Sequence, residues 1–515
     1  MLGEMRCDNS IVVLSTGYGV KASAGLGIQL ASDNVLSVIG QNGGVMLQPT
    51  VALLYDHAQR RPQASQLISR RWELTTAQVA GYVARMARAF GQRGIASGDL
   101  VSIACDNDLA FLVTLALEQI GATSCTSPSG VAHDALGISW HITDVVAETA
   151  AQTILIDDAF MVALVSVEPL LTIASPSTET TPVRLIFSSG TSGIPVAVPF
   201  TLEQVIQRAT LAEAIWMPDR PFMSLITMAS ASGYLTAMAN VRSGDTYFSP
   251  GDPIDNARLL RENNVSTVKA SPVQLAALCA LPDVTFPDLS WIESAGGPLS
   301  VALAQRLSEV APSASLLNLY GSTEAGTIAV ARIADDGTTP PAVLVAGADV
   351  EVVDDLDQPL PHGTEGLIRW RRPYQATHYA DGTRTSLRDG WFYPGDRGVI
   401  HPDGTFSILG RADNLVNSGG VKVQLEALDA RLSTVPGLVD WAYFTDVDAF
   451  GIERLILAAV ALPEHQSTLV AAVNERTPDV PVNRLYLVDE IPRNAMGKVL
   501  RHELRQRFAT LASQQ

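Results

Sequence analysis

The chain has 515 residues, 47% of them hydrophobic and 17% charged, which suits a large buried core and excludes a disordered chain. Its 35 lysines and arginines against 53 aspartates and glutamates leave a net charge of −18. That field repels phosphates and anionic membranes, so no nucleic-acid partner is expected. The longest apolar run, residues 455–462, is far short of the ~18 residues a spanning helix needs, so no membrane span is expected. Cys7, Cys105, Cys125 and Cys279 match neither a metal-ligand nor a disulfide-frame spacing and read as reduced, mostly buried thiols. The first apolar stretch is too short for a signal-peptide core, and the expected location is cytoplasmic.

Residues 1–46 are glycine-rich and form an N-terminal extension, read as a hairpin or flexible arm. Within it, Gly17-Tyr18-Gly19-Val20-Lys21-Ala22 loosely fits a dinucleotide fingerprint, but no acid stands at the end of a second strand to hold a ribose. From Leu47 the pattern becomes regular. Apolar spacing predicts helices over 77–90 and 109–120, and strands over 100–104, 153–156, 184–187 and 266–269. This alternation predicts an α/β fold, a large multi-subdomain body of layered, mostly parallel sheets spanning residues 47–410. Turn residues crowd 381–403, and residues 411–515 form a small α+β C-terminal domain joined by a short hinge.

The sharpest local signal is an apolar strand running into Ser188-Ser189-Gly190-Thr191-Ser192-Gly193, a loop rich in backbone N–H and hydroxyl donors that suits a polyphosphate. It lacks the Gly-Lys-Ser/Thr of a Walker loop, and alone it reads as a plain Ser/Gly turn between strands. It is followed by Ser294-Ala295-Gly296-Gly297, Asn318-Leu319-Tyr320-Gly321-Ser322-Thr323-Glu324-Ala325-Gly326, Gly390-Trp391-Phe392-Tyr393-Pro394-Gly395-Asp396, Gly410-Arg411-Ala412-Asp413 and Pro492-Arg493-Asn494-Ala495-Met496-Gly497-Lys498. Tyr320 beside glycines suits stacking on a flat adenine, and Glu324 offers a hard oxygen to Mg²⁺. Asp396 can accept from ribose hydroxyls and Arg411 can hold the same sugar or its phosphate; a turn aspartate with a surface arginine is the alternative. Lys498 can place a compact charge against a carboxylate attacking the α-phosphate, or is one more surface lysine.

In this order the motifs resemble the adenylate-forming superfamily of acyl-CoA synthetases, peptide-synthetase adenylation domains and beetle luciferases, over about Leu47 to the C-terminus. The resemblance implies an ATP- and Mg²⁺-dependent acid–thiol ligase, with CoA or phosphopantetheine as acceptor thiol. It implies catalytic roles for Lys498, Thr323 and Glu324, with Glu324 on the metal, and a phosphate loop at Ser188–Gly193. It further implies adenine and ribose contacts from Ala295, Gly296, Gly297, Tyr320, Gly321, Asp396 and Arg411, a hinge at Asp413 on which a mobile C-terminal domain swings, and a thiol tunnel bordered by Gly419 and Gly420. The glycine pair equally suits a hairpin turn. Ser230 and Gly233 fall at the acyl pocket, where small side chains suggest room.

Several positions depart from the family pattern. Val196 stands where a phosphate-gripping lysine is usual, and Ser230 where many relatives carry a histidine or large aromatic. Leu425 and Ala427 replace a usual proline and glutamate. The stretch SLITMASASG has no aspartate to pair with an α-ammonium, which disfavours an ordinary α-amino acid. The scattered histidines form no HExxH, and there is no G-x-S-x-G elbow, so zinc-enzyme and hydrolase schemes fit poorly. The expected partners are a small carboxylic acid, ATP and CoA. An acyl carrier protein as acceptor, or a nucleotide-binding protein with degraded catalysis, are the other readings.

Overall fold

The computed structural model describes residues 48–126, 137–146, 151–174, 180–188, 196–216, 220–383, 386–418, 421–447, 453–478, 482, 484–494 and 497–512. The N-terminal extension with its glycine fingerprint and Cys7 therefore lies outside the described residues. Cys105, Cys125 and Cys279 are free thiols, the latter two buried.

The predicted helix at 77–90 is Thr76–Arg93. It starts at a capping box in which the Thr75 side chain accepts from the Gln78 N–H, and it stops at Gly94 in a left-handed conformation. It buries Val79, Val83, Met86 and Phe90 along one face. The helix Asn107–Ile120 is buried over almost its whole length, matching its continuous apolar run. These helices cover a six-stranded sheet in the order Gln152–Leu155, Trp140–Thr143, Leu100–Ala104, Thr123–Cys125, Pro182–Ser188, Val196–Thr201. All its pairs are parallel except the last.

A second six-stranded sheet runs Val343–Leu344, Gly326–Arg332, Ser315–Ser322, Trp291–Ala295, Thr267–Ala270, Phe222–Ser224; the last four are parallel. The expectation of mostly parallel strands fails beyond it. Residues 349–411, which include the turn-rich stretch 381–403, carry a wholly antiparallel sheet of short strands. Turn residues at short intervals are what hairpins require, since parallel neighbours need long crossovers. One core joins the first sheet to the antiparallel one through Phe111, Phe200, Trp370 and Phe406, and another, with Phe286 and Leu307, lies against the second.

The small domain has two cores of its own, drawn from residues at and after Leu425. Its strands Leu438–Val447 and Glu453–Ala461 are antiparallel, with Arg484–Leu487 parallel to the second. Leu455, Leu457 and Ala459 face the helices Leu425–Arg431 and Leu469–Arg476, while Ile456 and Ala458 face Arg501–Ala512. Both faces are covered over Leu455–Ala459, so the strand is apolar at every one of those positions, and most of the run at 455–462 is a doubly buried strand. Leu425, in place of the family's proline, is fully buried in this core. Leu457→Ala should cost about 2–5 kcal/mol of small-domain stability, read as a lower urea midpoint of its unfolding.

Candidate active site

The strands Trp291–Ala295 and Ser315–Ser322 run parallel with Ala295 opposite Leu319, so their ends bring Ala295-Gly296-Gly297 beside Tyr320-Gly321. The Tyr320 ring stands edge-on to Trp370, with centroids 5.7 Å apart, and 6.1 Å from Phe406. Its hydroxyl donates to Asp396. Asp396 opens the strand Asp396–Ile400 and lies directly across the ladder from Arg411, whose Nη1 donates to Asp396 Oδ1 at 3.1 Å and to the Pro394 carbonyl. The Asp396 and Arg411 side chains are only 14% and 30% exposed, so the pair is not a turn aspartate with a surface arginine. Burial raises the Asp396 pKa above the usual carboxylate value, opposed by Arg411, the Tyr320 hydroxyl and Lys498. Burial and the Asp396 charge push Tyr320 well up, which keeps it a hydrogen-bond donor. A cleft of about 300 Å³ opens beside Arg411, lined by Leu367, Ile368, Ser386, Arg388, Tyr393 and Gly395.

Thr323 and Glu324 form the turn between the antiparallel strands Ser315–Ser322 and Gly326–Arg332. Glu324 is buried, its Oε1 accepts from the Tyr379 hydroxyl at 3.2 Å, and its carbonyl accepts from the Ala376 N–H at 2.8 Å. The Thr323 carbonyl accepts from Arg208 at 3.0 Å.

Lys498 arrives from the small domain on a loop closed by the bridge between Arg493 and Val499. Asn494 accepts from the Lys498 N–H at 2.9 Å, and Arg493 grips Asp440 at 2.7 Å and the Gly497 carbonyl at 2.8 Å. Gly497 has φ +79°, and a Cβ there would stand 2.1 Å from Val273 Cγ2, on the helix Pro272–Cys279 of the large body. The loop is therefore pressed against the body with no space for a side chain. The protein around the Lys498 ammonium lowers its pKa, Asp396 and Glu324 raise it, and Arg411 lowers it. Residues 178 positions apart in sequence, Tyr320 and Lys498, thus share one electrostatic neighbourhood through Asp396.

Ser188 ends the strand Pro182–Ser188 with Val196 directly opposite it. Ser189, Gly190, Thr191, Ser192 and Gly193 lie outside the described residues, as do Gly419 and Gly420. The strands flanking that pair, Leu415–Ser418 and Val421–Gln424, are antiparallel neighbours. Asp413 falls in the single 3₁₀ turn Ala412–Asn414 between the last body strand and the small domain.

Ser230 and Gly233 share one tight turn. Ser230 is the N-cap of the helix Ala231–Ser243, accepting from the Gly233 N–H at 3.2 Å. A Cβ at Gly233 would meet the Thr227 carbonyl at 2.1 Å. Gly233 is therefore small because the turn folds back on it. Three arginines and a tyrosine escaped the motif reading. Arg184 is fully buried and ties the phosphate-loop strand to the acyl segment through the Met228 carbonyl at 2.8 Å, with Thr126 at 2.9 Å and Ser124 at 3.2 Å. Tyr379 holds Glu324, and Arg208 and Arg372 stand behind it. The available signal was a charge bordering an apolar helical stripe, as with Arg208 beside buried Val205 and Ala209.

Among the described residues no helix is long and apolar enough to cross a membrane. Residues 54–380 match the family model for AMP-binding enzymes. The fatty acid–[acyl-carrier-protein] ligase MmaC of Mycobacterium marinum is 25% identical, the match covering 88% of this chain and 96% of that one. The oxalate–CoA ligase of Arabidopsis thaliana is 23% identical over 88% of this chain and 98% of that one. The O-succinylbenzoate coenzyme A synthetase of Bacillus subtilis, solved with ATP and magnesium, superposes with TM-score 0.76 at 21% identity, covering 89% and 99% of the two chains. A large body with a small C-terminal domain, the order of motifs along them and the family match agree, and the chain belongs to the AMP-binding enzymes as an AMP-forming ligase of the adenylate-forming superfamily.

Proposed function

We propose that the protein joins a carboxylic acid to a thiol through an acyl-adenylate, with CoA as the acceptor. A carboxylate oxygen attacks the ATP α-phosphorus, the bond to the β-phosphate oxygen breaks and pyrophosphate leaves. The thiol sulfur, its proton released to solvent, then attacks the acyl carbonyl and AMP departs with the attacking oxygen. The observation that supports this reading is the Tyr320–Asp396–Arg411 cluster in the body, with the Lys498 loop seated against the same body where Gly497 meets Val273. No protein nucleophile is required.

Asp396 and Arg411 hold the ribose, Tyr320 and the Ala295-Gly296-Gly297 and Gly321 backbone border the adenine, and the loop from Ser188 to Gly193 receives the phosphates. Arg411 ends the last body strand, and Asp413, two residues on, is the hinge of the small domain. Glu324 suits magnesium, since that ion takes one or two carboxylates and completes its shell with substrate phosphates and water. Among the described residues no group of three or more His, Cys, Asp or Glu forms an all-protein cage. Magnesium bound there supplies charge neutralisation for the phosphates. Lys498 steadies the charge gathered where carboxylate meets α-phosphate.

Pyrophosphate release across fatty, aryl and hydroxy acids, followed by thioester detection with CoA and with a phosphopantetheinylated carrier, tests the reading. Carrier-only product would move the acceptor assignment to the fatty acid–carrier ligases that MmaC's name describes. Asp396→Ala should weaken ATP binding, because each charge-assisted hydrogen bond to a ribose hydroxyl contributes about 1.5–3 kcal/mol. Unchanged affinity by calorimetry would contradict the ribose assignment. The adenylation pH profile should also carry the mark of Lys498. Its pKa is lowered from 10.5, so the ammonium and its assistance are present below that lowered value and are lost as pH rises through it. The alkaline limb should fall short of an ordinary lysine's, and Lys498→Arg should move it upward; an unmoved limb assigns it to another group.

A further inference from the structure

Two guanidiniums converge behind Glu324. Arg208, on the helix Leu202–Trp216, stacks over the Phe200 ring at 4.5 Å and donates through Nη2 to the Thr323 carbonyl at 3.0 Å. Arg372 donates through Nη1 to the Thr327 carbonyl. Both close on the bare Cα of Gly326, where a Cβ would stand 3.6 Å from Arg208 Nη2 and 4.0 Å from Arg372 Nη1. Arg208 Nη1 is buried with no hydrogen-bond partner among the described residues. Burial lowers both side chains to about 10, with Arg372 adding repulsion at Arg208, and both stay charged at neutral pH.

The charges do not balance. Glu324 is the carboxylate acting on Arg208, and one of its oxygens already accepts from Tyr379. On the reading above, on which this inference rests, Glu324 serves magnesium, so the two guanidiniums are left without a counter-ion among the described residues. Neutral carbonyls satisfy donors but do not offset a desolvated charge.

The position of the pair identifies the missing anion. Val196 lies across from Ser188 at the mouth of the phosphate loop, and Phe200 is four residues further along the same strand. At ~3.3 Å per residue Phe200 lies about 13 Å along the strand from Val196, so Arg208, stacked over the Phe200 ring, does not occupy the position of the lysine missing at Val196. Its helix instead packs along Ala231–Ser243, the helix that begins at the acyl segment. We propose that Arg208 and Arg372 form an oxyanion subsite on the acyl side of Glu324, and that the acid substrate carries a second carboxylate which this subsite receives. Bidentate acceptance of two guanidinium forks is the geometry a carboxylate offers.

The test uses the full chain and initial rates of pyrophosphate release with acids matched in length, butyrate against succinate and hexanoate against adipate. The parent should prefer the dicarboxylic member of at least one pair tenfold or more in kcat/KM. Arg208→Gln and Arg372→Gln should each cut that preference at least tenfold, and Arg208→Lys should restore part of it. A parent preferring the monocarboxylic member of every pair overturns the proposal without needing a folded variant. Equal losses on both members would make the arginines a brace for the Thr323–Glu324 turn, and an effect confined to the KM for ATP would make them a phosphate clamp; either overturns it. Pyrophosphate release with any acid sustains the ligase reading on its own, so the two can fail separately.

Discussion

Lys498→Ala is expected to slow acyl-adenylate formation by roughly 10²–10³-fold, the loss seen when one preorganised charge is taken from developing negative charge. The same variant should convert a supplied acyl-adenylate to thioester at close to the parental rate. The asymmetry follows from where the side chain stands. Lys498 shares its neighbourhood with Asp396 and Glu324, the groups assigned to ribose and metal, and its loop is pinned by Arg493 on Asp440 and seated against Val273. A charge held there acts while two anions meet and has nothing to stabilise once pyrophosphate has gone. Single-turnover measurements of each half-reaction check it, and equal losses in both would contradict the role.

Asp413→Pro is expected to produce the opposite pattern: pyrophosphate release largely intact, thioester formation strongly slowed and acyl-adenylate accumulating on the enzyme. The described pose, with Gly497 against the helix Pro272–Cys279, brings Lys498 to the site. The hairpin strands Leu415–Ser418 and Val421–Gln424, which flank Gly419 and Gly420, belong to the same small domain. If that loop is to reach the acyl carbonyl, the small domain must turn on the body, and the 3₁₀ turn Ala412–Asn414 is the covalent link available to absorb the rotation. Proline fixes φ near −65° and removes the N–H, trapping one pose. Thioester formation at the parental rate would place the hinge elsewhere or remove the need for two poses.

What the sequence disclosed follows from what is local. The helix Thr76–Arg93 carries its period, its capping box and its terminal glycine within one segment, so its existence and ends were legible. The motifs behind the proposed nucleotide contacts stood out for another reason: glycine and hydroxyl runs at strand ends repeat a known order. Long-range facts were not. That Tyr320 donates to Asp396, and Tyr379 to Glu324, depends on an antiparallel sheet that short, turn-rich strands concealed. That Gly233 lies beneath a folded-back carbonyl was hidden too, because a small residue there and a small residue beside a pocket look alike in one dimension. Arg208 and Arg372 carried no motif, and it is their approach to the Thr323–Thr327 turn that sets them apart. One compositional clue went unused: lysine occurs four times in the whole chain, so a lysine in the 492–498 turn was already exceptional where arginine carries nearly all the positive charge.

The central claim is that a carboxylate attacks the α-phosphate of ATP and that AMP later leaves with one carboxylate oxygen. It is tested most directly with an acid labelled by ¹⁸O in both carboxyl oxygens, turned over with ATP and CoA and followed by mass spectrometry of the nucleotide and phosphate products. The expected result is one ¹⁸O in AMP, one retained in the thioester and none in pyrophosphate. Label in inorganic phosphate with ADP as the nucleotide product, or AMP without label, would contradict an acyl-adenylate.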